Sequence, residues 1–321
     1  MTRLRIDYIN YEHGGRVAAD GIGYANDLIS LSGTCWDFTG LVRIMSTGSY
    51  PAVLVLGEGD YYRFSGAAAA WGAANALRAA GGPTYTPLIG SLPRQWGPFA
   101  PVVFVDLQRI VVHRWYDDTA PDFAARTRNM LVGSLPGRTE EFRIVAVHGD
   151  IFSGQQRLAD ARELQRLAAT EIPCAIAGDF NTTLSGPDWE PGDLNDTAIY
   201  PPEQPWRPAW RTRWSPALAG AEENVPDADA LDYLCGIWRP GRPGEPGRRV
   251  GGVGFYDAAE LAGDTSPTQL PRPDGRQACA IDHILLNKPF ADRLASYQVH
   301  QPADPDHPDS DHLRISVELD V

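Results

Sequence analysis

Apolar residues fall along this chain in short runs, not in long stripes. Those at 52–57 (Ala-Val-Leu-Val-Leu-Gly), 101–105, 109–113, 142–148, 173–177 and 281–286, with an alternating run at 313–319, have the length of buried strands. The start of the chain alternates too, with Leu4, Ile6 and Tyr8 set against Arg5, Asp7 and Ile9. Two segments carry helical spacing. One is the Ala-rich stretch 66–80, stopped by Gly81-Gly82. The other, 155–169, places Leu158, Ala161, Leu164, Leu167 and Ala168 on one face. Strands outnumber helices, and closely spaced runs such as 101–105 and 109–113 read as antiparallel neighbours. The pattern therefore predicts an α+β protein, a β-sandwich with helices on its outer faces, over a doubly wound parallel sheet.

Residues 183–280 break this rhythm. They are crowded with Pro, Gly, Trp and Arg, and only 227–237 reads as helical. A long weakly patterned stretch inside a compact domain usually serves function. The expectation is one domain over residues 1–321, with 183–280 inserted above the active face.

Composition narrows the class. With 43% hydrophobic and 21% charged residues, the 321-residue chain can bury a core without disulfides or structural metals. The net charge of −13 argues against a protein that coats nucleic acid, because Lys and Arg neutralising phosphate drive such binding. It leaves room for an enzyme whose metal ion supplies local positive charge. Lys288 is the sole lysine, which with the Ala, Gly and Pro usage suggests GC-rich coding. Cys35, Cys174, Cys235 and Cys279 lie far apart, without C-x-x-C spacing, so no structural zinc is expected. No stretch approaches the ~18 apolar residues of a membrane span, and the first residues read as a strand, not a secretory leader. A soluble cytoplasmic protein with reduced thiols is the expectation.

Several polar residues sit where apolar runs end. Gly178-Asp179-Phe180-Asn181 follows the run 173–177 and sets a carboxylate and an amide side by side at a sheet edge. There they can hold a water and a phosphoryl oxygen together, or simply close the strand in an Asx turn. Ser310-Asp311-His312 precedes the last strand, in a stretch 304–312 with four Asp and two His. A carboxylate beside an imidazole suits a metal ligand next to a general base, and a solvated acidic loop is the simpler reading for Asp304 and His307. Glu58 ends one strand and suits either an edge charge or an oxygen ligand for a hard cation. His148 ends another. Asp282 lies inside Ile281-Asp282-His283-Ile284, where an unpaired charge would cost several kcal/mol. An imidazole held in one tautomer would be a fitting partner. Asn10 ends the first strand.

In this order the six motifs resemble the endonuclease/exonuclease/phosphatase superfamily, the deoxyribonuclease I-like proteins. The matching segments are roughly 4–15, 52–60, 142–150, 173–182 and 281–313. The resemblance implies a four-layer αββα sandwich of two packed mixed sheets flanked by helices, with the site at one end. It implies Asn10, Glu58 and Asp311 as residues of a Mg²⁺ or Mn²⁺ site, His312 as general base and Asp282 as the acid that orients it. It implies Asp179 as the residue positioning the nucleophile, Asn181 as its amide partner and His148 as the residue binding the scissile phosphate. The chain departs from the family in Gly57 before Glu58, in Ile9-Asn10 and in His148-Gly149-Asp150. A substrate-positioning residue is not singled out: Tyr85, Arg94, Arg109 and Arg114 all qualify.

The substrate is expected to be a phosphoester. Trp206, Arg207, Trp210, Arg211, Arg213 and Trp214 interleave aromatic and guanidinium groups, as nucleic-acid surfaces do, and Arg239–Arg249 holds four Arg against Glu245. These tryptophans could equally anchor a loop. Three readings follow: a nuclease on DNA or RNA, a phosphatase or phosphodiesterase on a small-molecule or lipid phosphoester, and a catalytically silent binding module. The last is disfavoured because all eight motif positions keep chemically competent residues.

Overall fold

The computed structural model describes residues 2–18, 34–59, 62–63, 65–90, 100–117, 129–189, 225–272 and 277–321. Among them the strands are β1 (Arg3–Asn10), β2 (Arg16–Ala18), β3 (Thr34–Trp36), β4 (Val53–Gly57), β5 (Tyr85–Ile89), β6 (Val102–Asp106), β7 (Val111–Tyr116), β8 (Met130–Ser134), β9 (Glu141–His148), β10 (Cys174–Asp179), β11 (Ile237–Arg239), β12 (Arg248–Val250), β13 (Phe255–Asp257), β14 (Asp282–Asn287), β15 (Leu294–His300) and β16 (Arg314–Asp320). The helices are α1 (Thr39–Met45), α2 (Ala68–Ala79), α3 (Gly154–Ala168), α4 (Asp229–Cys235), α5 (Ala258–Ala262) and α6 (Lys288–Ala291).

Two six-stranded mixed sheets form the centre, ordered β15-β16-β1-β4-β6-β5 and β13-β14-β10-β9-β8-β7. Strand alternation sorts the side chains into layers. Leu4, Ile6 and Tyr8 of β1, with Val53 and Val55 of β4, pack against Ile144, Ala146, Ala175, Ala177 and Ile284 from the other sheet. The opposite face of the first sheet, with Ile9, Leu54, Leu56 and Phe104, is covered by Leu41 and Met45 of α1 and by Ala70, Ala73 and Leu77 of α2. The outer face of the second, with Val145, Cys174, Ile176 and Leu285, is covered by α3 and α4 through Ala161, Leu164, Leu167, Leu231 and Leu234. The layers are αββα. No helix among the described residues is long and apolar enough to cross a membrane.

The periodic helices hold closely to expectation. α3 begins at Gly154 because the Ser153 hydroxyl accepts the Gln156 N–H at 3.2 Å, capping the first turn. One expected pairing fails. β6 and β7 do not form a hairpin: β6 lies between β4 and β5, while β7 pairs with β8 in the other sheet. Both edges of β6 are taken, so the chain turns away. The Asp106 carbonyl accepts the N–H groups of Arg109 and Ile110 at 3.0 and 2.9 Å, and this turn carries the backbone between sheets. Within 183–280 the described residues are more ordered than their composition suggests: α4 packs on α3, β11 pairs with β12, and β13 edges the second sheet.

Candidate active site

Register brings the chemically interesting strand ends to one end of the sandwich. In the first sheet β1 and β4 run parallel with Asn10 opposite Gly57, so Glu58 follows directly beside Asn10. In the second sheet Asp179 lies opposite His148 on one side and Asp282 on the other. The backbone bends sharply here: Glu58 (φ 54°), Asn181 (φ 49°) and His13 (φ 52°) adopt left-handed conformations that cost non-glycine residues energy. The strain at Glu58 returns its carboxylate over the strand end. Oε1 accepts from Asn10 Nδ2 at 3.2 Å and Oε2 from the His13 N–H at 3.0 Å.

The two sheets meet at Asp179. Asn10 Nδ2 also reaches Asp179 Oδ2 at 3.2 Å, and the Asp179 N–H donates to the Tyr8 hydroxyl at 2.8 Å. Asp179 Oδ1 accepts the Asn181 N–H at 2.7 Å, and Asn181 Nδ2 donates to the Gly149 carbonyl at 3.0 Å. Gly149 explains the unusual His148-Gly149-Asp150: its N–H donates to the Asp179 carbonyl at 2.7 Å, and a Cβ there would lie 2.3 Å from the Phe180 carbonyl oxygen. Asp150 then accepts the N–H groups of Phe152 and Ser153 at 2.7 and 2.8 Å, leading the chain into α3.

On the other side His312 Nδ1 lies 2.8 Å from Asp282 Oδ2, both buried. A carboxylate at Nδ1 holds the N–H there, so that in the neutral imidazole Nε2 is the acceptor. Gln269 Nε2 lies 3.1 Å from that Nε2. Thr268 Oγ1 accepts the N–H groups of Ile281 and Asp282 at 3.1 and 2.9 Å, setting the start of β14, and the Ser310 hydroxyl donates to the Asn10 carbonyl at 2.7 Å. One ligand atom each from Asp179, Asp282 and His312 lie within 4.8 Å of one another.

Charge accumulates in this buried space. Burial and the neighbouring Asp282 push the Asp179 carboxyl up, against the pull of His312 and His148. Burial alone would raise Glu58, yet His148, the His13 N–H, His312 and Asn10 hold it below the usual carboxylate value. Burial alone would lower His312, but Asp282, Asp179 and Asp311 raise it to about 10. Buried oxygens are also left over: Asn10 Oδ1 and Asp282 Oδ1 have no hydrogen-bond partner. Unsatisfied oxygen donors beside a carboxylate held anionic fit a hard divalent cation, which prefers oxygen ligands and neutralises such a cluster.

Of the residues singled out by sequence, Asn10, Glu58, Asp179, Asn181, Asp282 and His312 are linked directly or through one neighbour, and His148 adjoins Asp179 by register. Asp311 is turned elsewhere: its Oδ2 accepts from Arg272 Nη2 at 2.5 Å, and its Oδ1 is 3.9 Å from His312 Nε2. Tyr85 and Arg109 lie at the opposite end of the sandwich, donating to the carbonyls of Pro51 and Tyr50. Arg114 is exposed on the edge strand β7. Arg94, Trp206, Arg207, Trp210, Arg211 and Arg213 fall outside the described residues. In the 239–249 stretch Arg249 is structural, bonding Glu260 at 2.6 Å and packing on Trp238. Tyr8, Thr268, Gln269 and Arg272 were not foreseen. Tyr8 shares a strand face with Asn10, two residues on, and that spacing could have revealed it.

Acids, amides and imidazoles thus gather at one end of a four-layer αββα sandwich. The chain belongs to the endonuclease/exonuclease/phosphatase family, whose model matches residues 25–312. It is similar in structure to an endonuclease/exonuclease/phosphatase from Bacteroides vulgatus (TM-score 0.55, 14% identity, 100% of each chain covered). It is also similar to Danio rerio TDP2 complexed with single-strand DNA product (0.51, 14%, 100% of each). A third likeness is the human Nocturnin catalytic domain with bound sulfate (0.51, 14%, 99% of this chain and 93% of that one). At such identity these likenesses speak to the fold. No curated protein sequence matches the chain.

Proposed function

We propose that this protein is a divalent-cation-dependent phosphodiesterase that hydrolyses DNA or RNA phosphodiester bonds with water activated by His312. The observation that carries this reading is the buried Asp282–His312 pair, whose imidazole lies within 4.8 Å of Asp179. His312, held at Nδ1 by Asp282, takes the water proton at Nε2. Asp179 orients that water and Asn181 its partner oxygen. His148 and the Asn181 amide donate hydrogen bonds to the phosphoryl oxygens as charge builds on them. Asn10, Glu58 and Asp311 would hold Mg²⁺ or Mn²⁺, with Asp311 joining once it leaves Arg272. A bound cation would polarise a phosphoryl oxygen, stabilise the leaving oxygen and, by countering the carboxylates, favour the neutral form of His312. One domain over residues 1–321 carries this chemistry, a reading supported by β1 and β16, from the two ends of the chain, pairing in one sheet.

The nucleic-acid reading draws support from the Arg- and Trp-rich run 206–214 and from the DNA-bound TDP2 neighbour. The charge of −13 favours a second substrate class, a small-molecule or lipid phosphoester. Turnover of plasmid DNA, RNA and bis(p-nitrophenyl) phosphate with Mg²⁺ and with EDTA tests both. Activity should require the cation and vanish in His312→Ala. No turnover of any ester with Mg²⁺ or Mn²⁺ would sink the reading. Salt-insensitive activity confined to the small ester would select the second class.

A further inference from the structure

Residues 268–270 form a strip pinned from two sides. Gln269 bridges antiparallel to His312 and to Cys279, the Leu270 N–H donates to the Asp311 carbonyl at 2.8 Å, and the Leu313 N–H donates to the Thr268 carbonyl at 2.6 Å. Two residues further on, Arg272 reaches back with Nη2 to Asp311 Oδ2 at 2.5 Å. The other oxygen of the same carboxylate lies 3.9 Å from His312 Nε2, so the guanidinium is held one carboxylate's width from the nitrogen that is to receive the water proton.

Four features make this more than a surface ion pair. The Arg272 side chain is 35% exposed and the Asp311 side chain 24%, so the pair lies at the rim of the site. An ion pair so exposed contributes little to stability. Glu58, Asp179, Asp282 and Asp311 gather around this end, and the approach of an anionic ester is opposed by every one of them. Among the described arginines, Arg272 is the one whose ion pair is with a candidate site residue. Finally, Nε is buried without a hydrogen-bond partner, so the protein leaves the guanidinium partly unsatisfied.

We propose that Arg272 is a substrate-binding residue that receives non-bridging oxygens of the phosphate, exchanging Asp311 for the ester as Asp311 turns to the cation. The proposal rests on the phosphoesterase reading. The guanidinium fork matches a phosphoryl group, and its present partner Asp311 lies 3.9 Å from His312 Nε2, the nitrogen proposed to activate water.

Two measurements on the full-length, Mg²⁺-loaded protein test it: calorimetric binding of inorganic phosphate, and kcat and KM on bis(p-nitrophenyl) phosphate. Arg272→Ala should weaken phosphate binding about tenfold or more, the effect of losing a charge-assisted hydrogen bond, and raise KM more than it lowers kcat. Arg272→Lys should recover part of both. Mn²⁺ affinity, read by electron paramagnetic resonance without substrate, should stay equal or tighten in Arg272→Ala, because a competing cation has gone. Phosphate binding within twofold of wild type overturns the proposal. So does a parallel loss of Mn²⁺ affinity, since Arg272 would then act only by holding Asp311. A wild-type protein that binds phosphate through Arg272 but turns over no ester leaves this proposal standing and removes the catalytic one. A wild type that turns over ester but binds no phosphate removes this proposal and leaves the catalytic one standing.

Discussion

Replacing Asp282 with Asn keeps the shape of the side chain and removes its charge, which separates what that charge does for folding from what it does for chemistry. Asp282 Oδ2 lies 2.8 Å from His312 Nδ1. At an effective dielectric of ~20 that contact is worth roughly 6 kcal/mol to an imidazolium. The same charge repels Asp179, whose ligand atom lies within 4.8 Å, by roughly 3 kcal/mol. The repulsion offsets about half of the attraction, so Asp282→Asn should cost about 3 kcal/mol of stability in the metal-free protein. Chemistry has no such compensation. An amide can offer its N–H to Nδ1 and hold the ring in the wrong tautomer, so kcat should fall about ten-thousandfold, the loss seen for this change in a serine-protease His–Asp pair. Asp282 heads the influences that raise His312 to about 10, so its loss should lower that value. Urea melts, cation-dependent turnover of bis(p-nitrophenyl) phosphate and an NMR titration of His312 read the three effects. A variant within tenfold of wild-type turnover, with the His312 pKa unmoved, would refute the reasoning.

Three further expectations concern different parts of the molecule. Glu58→Gln can still accept the His13 N–H but loses its charge, so Mn²⁺ affinity should drop about tenfold or more with the fold retained; an unchanged Mn²⁺ titration would remove Glu58 from the cation site. Gly178→Ala would place a Cβ 2.1 Å from the Val147 carbonyl oxygen between paired strands, so at least ~3 kcal/mol of stability should be lost, read as a fall in Tm; an unchanged Tm would contradict the strand spacing. Burial, with Arg314 and Arg5, lowers the His300 pKa from 6.5 to about 3. Between those values the unfolded chain binds the extra proton, so this group's contribution is complete above pH 6.5. It is lost as pH falls, at up to about 1.4 kcal/mol per pH unit. His300→Gln should flatten that slope between pH 4 and 6.5 in urea melts, and identical slopes would dismiss the effect.

The strands that were legible in the sequence are those buried on both faces. β4 and β10 show uninterrupted apolar runs because each has a sheet neighbour on both sides and a packed layer above and below. β15, with Ser296 and Gln298 on an outward face, and β5, with Pro87 inside it, carry no such run and were not foreseen. The Asp282–His312 contact was foreseeable, because a carboxylate amid Ile281, Ile284 and Leu285 needs a partner. The pairing of Asp311 with Arg272 was not. It depends on a strip of chain 43 residues away being laid beside His312, which no local pattern records. Tyr85 and Arg109 illustrate the converse: residues of suitable chemistry, placed at the wrong end by strand direction.

The bond from the Asp179 amide to the Tyr8 hydroxyl crosses the seam between the sheets, and the Asn10 amide crosses it again at the same aspartate. Half of the candidate site therefore rides on each slab, and its alignment is a gauge of the gap between them. Widening that gap by a small change at Ile6 or Val55, remote from any substrate, would be felt first as lost turnover and only later as lost structure. On the proposed function, the packing of the core would set the aim of these groups as well as the endurance of the fold.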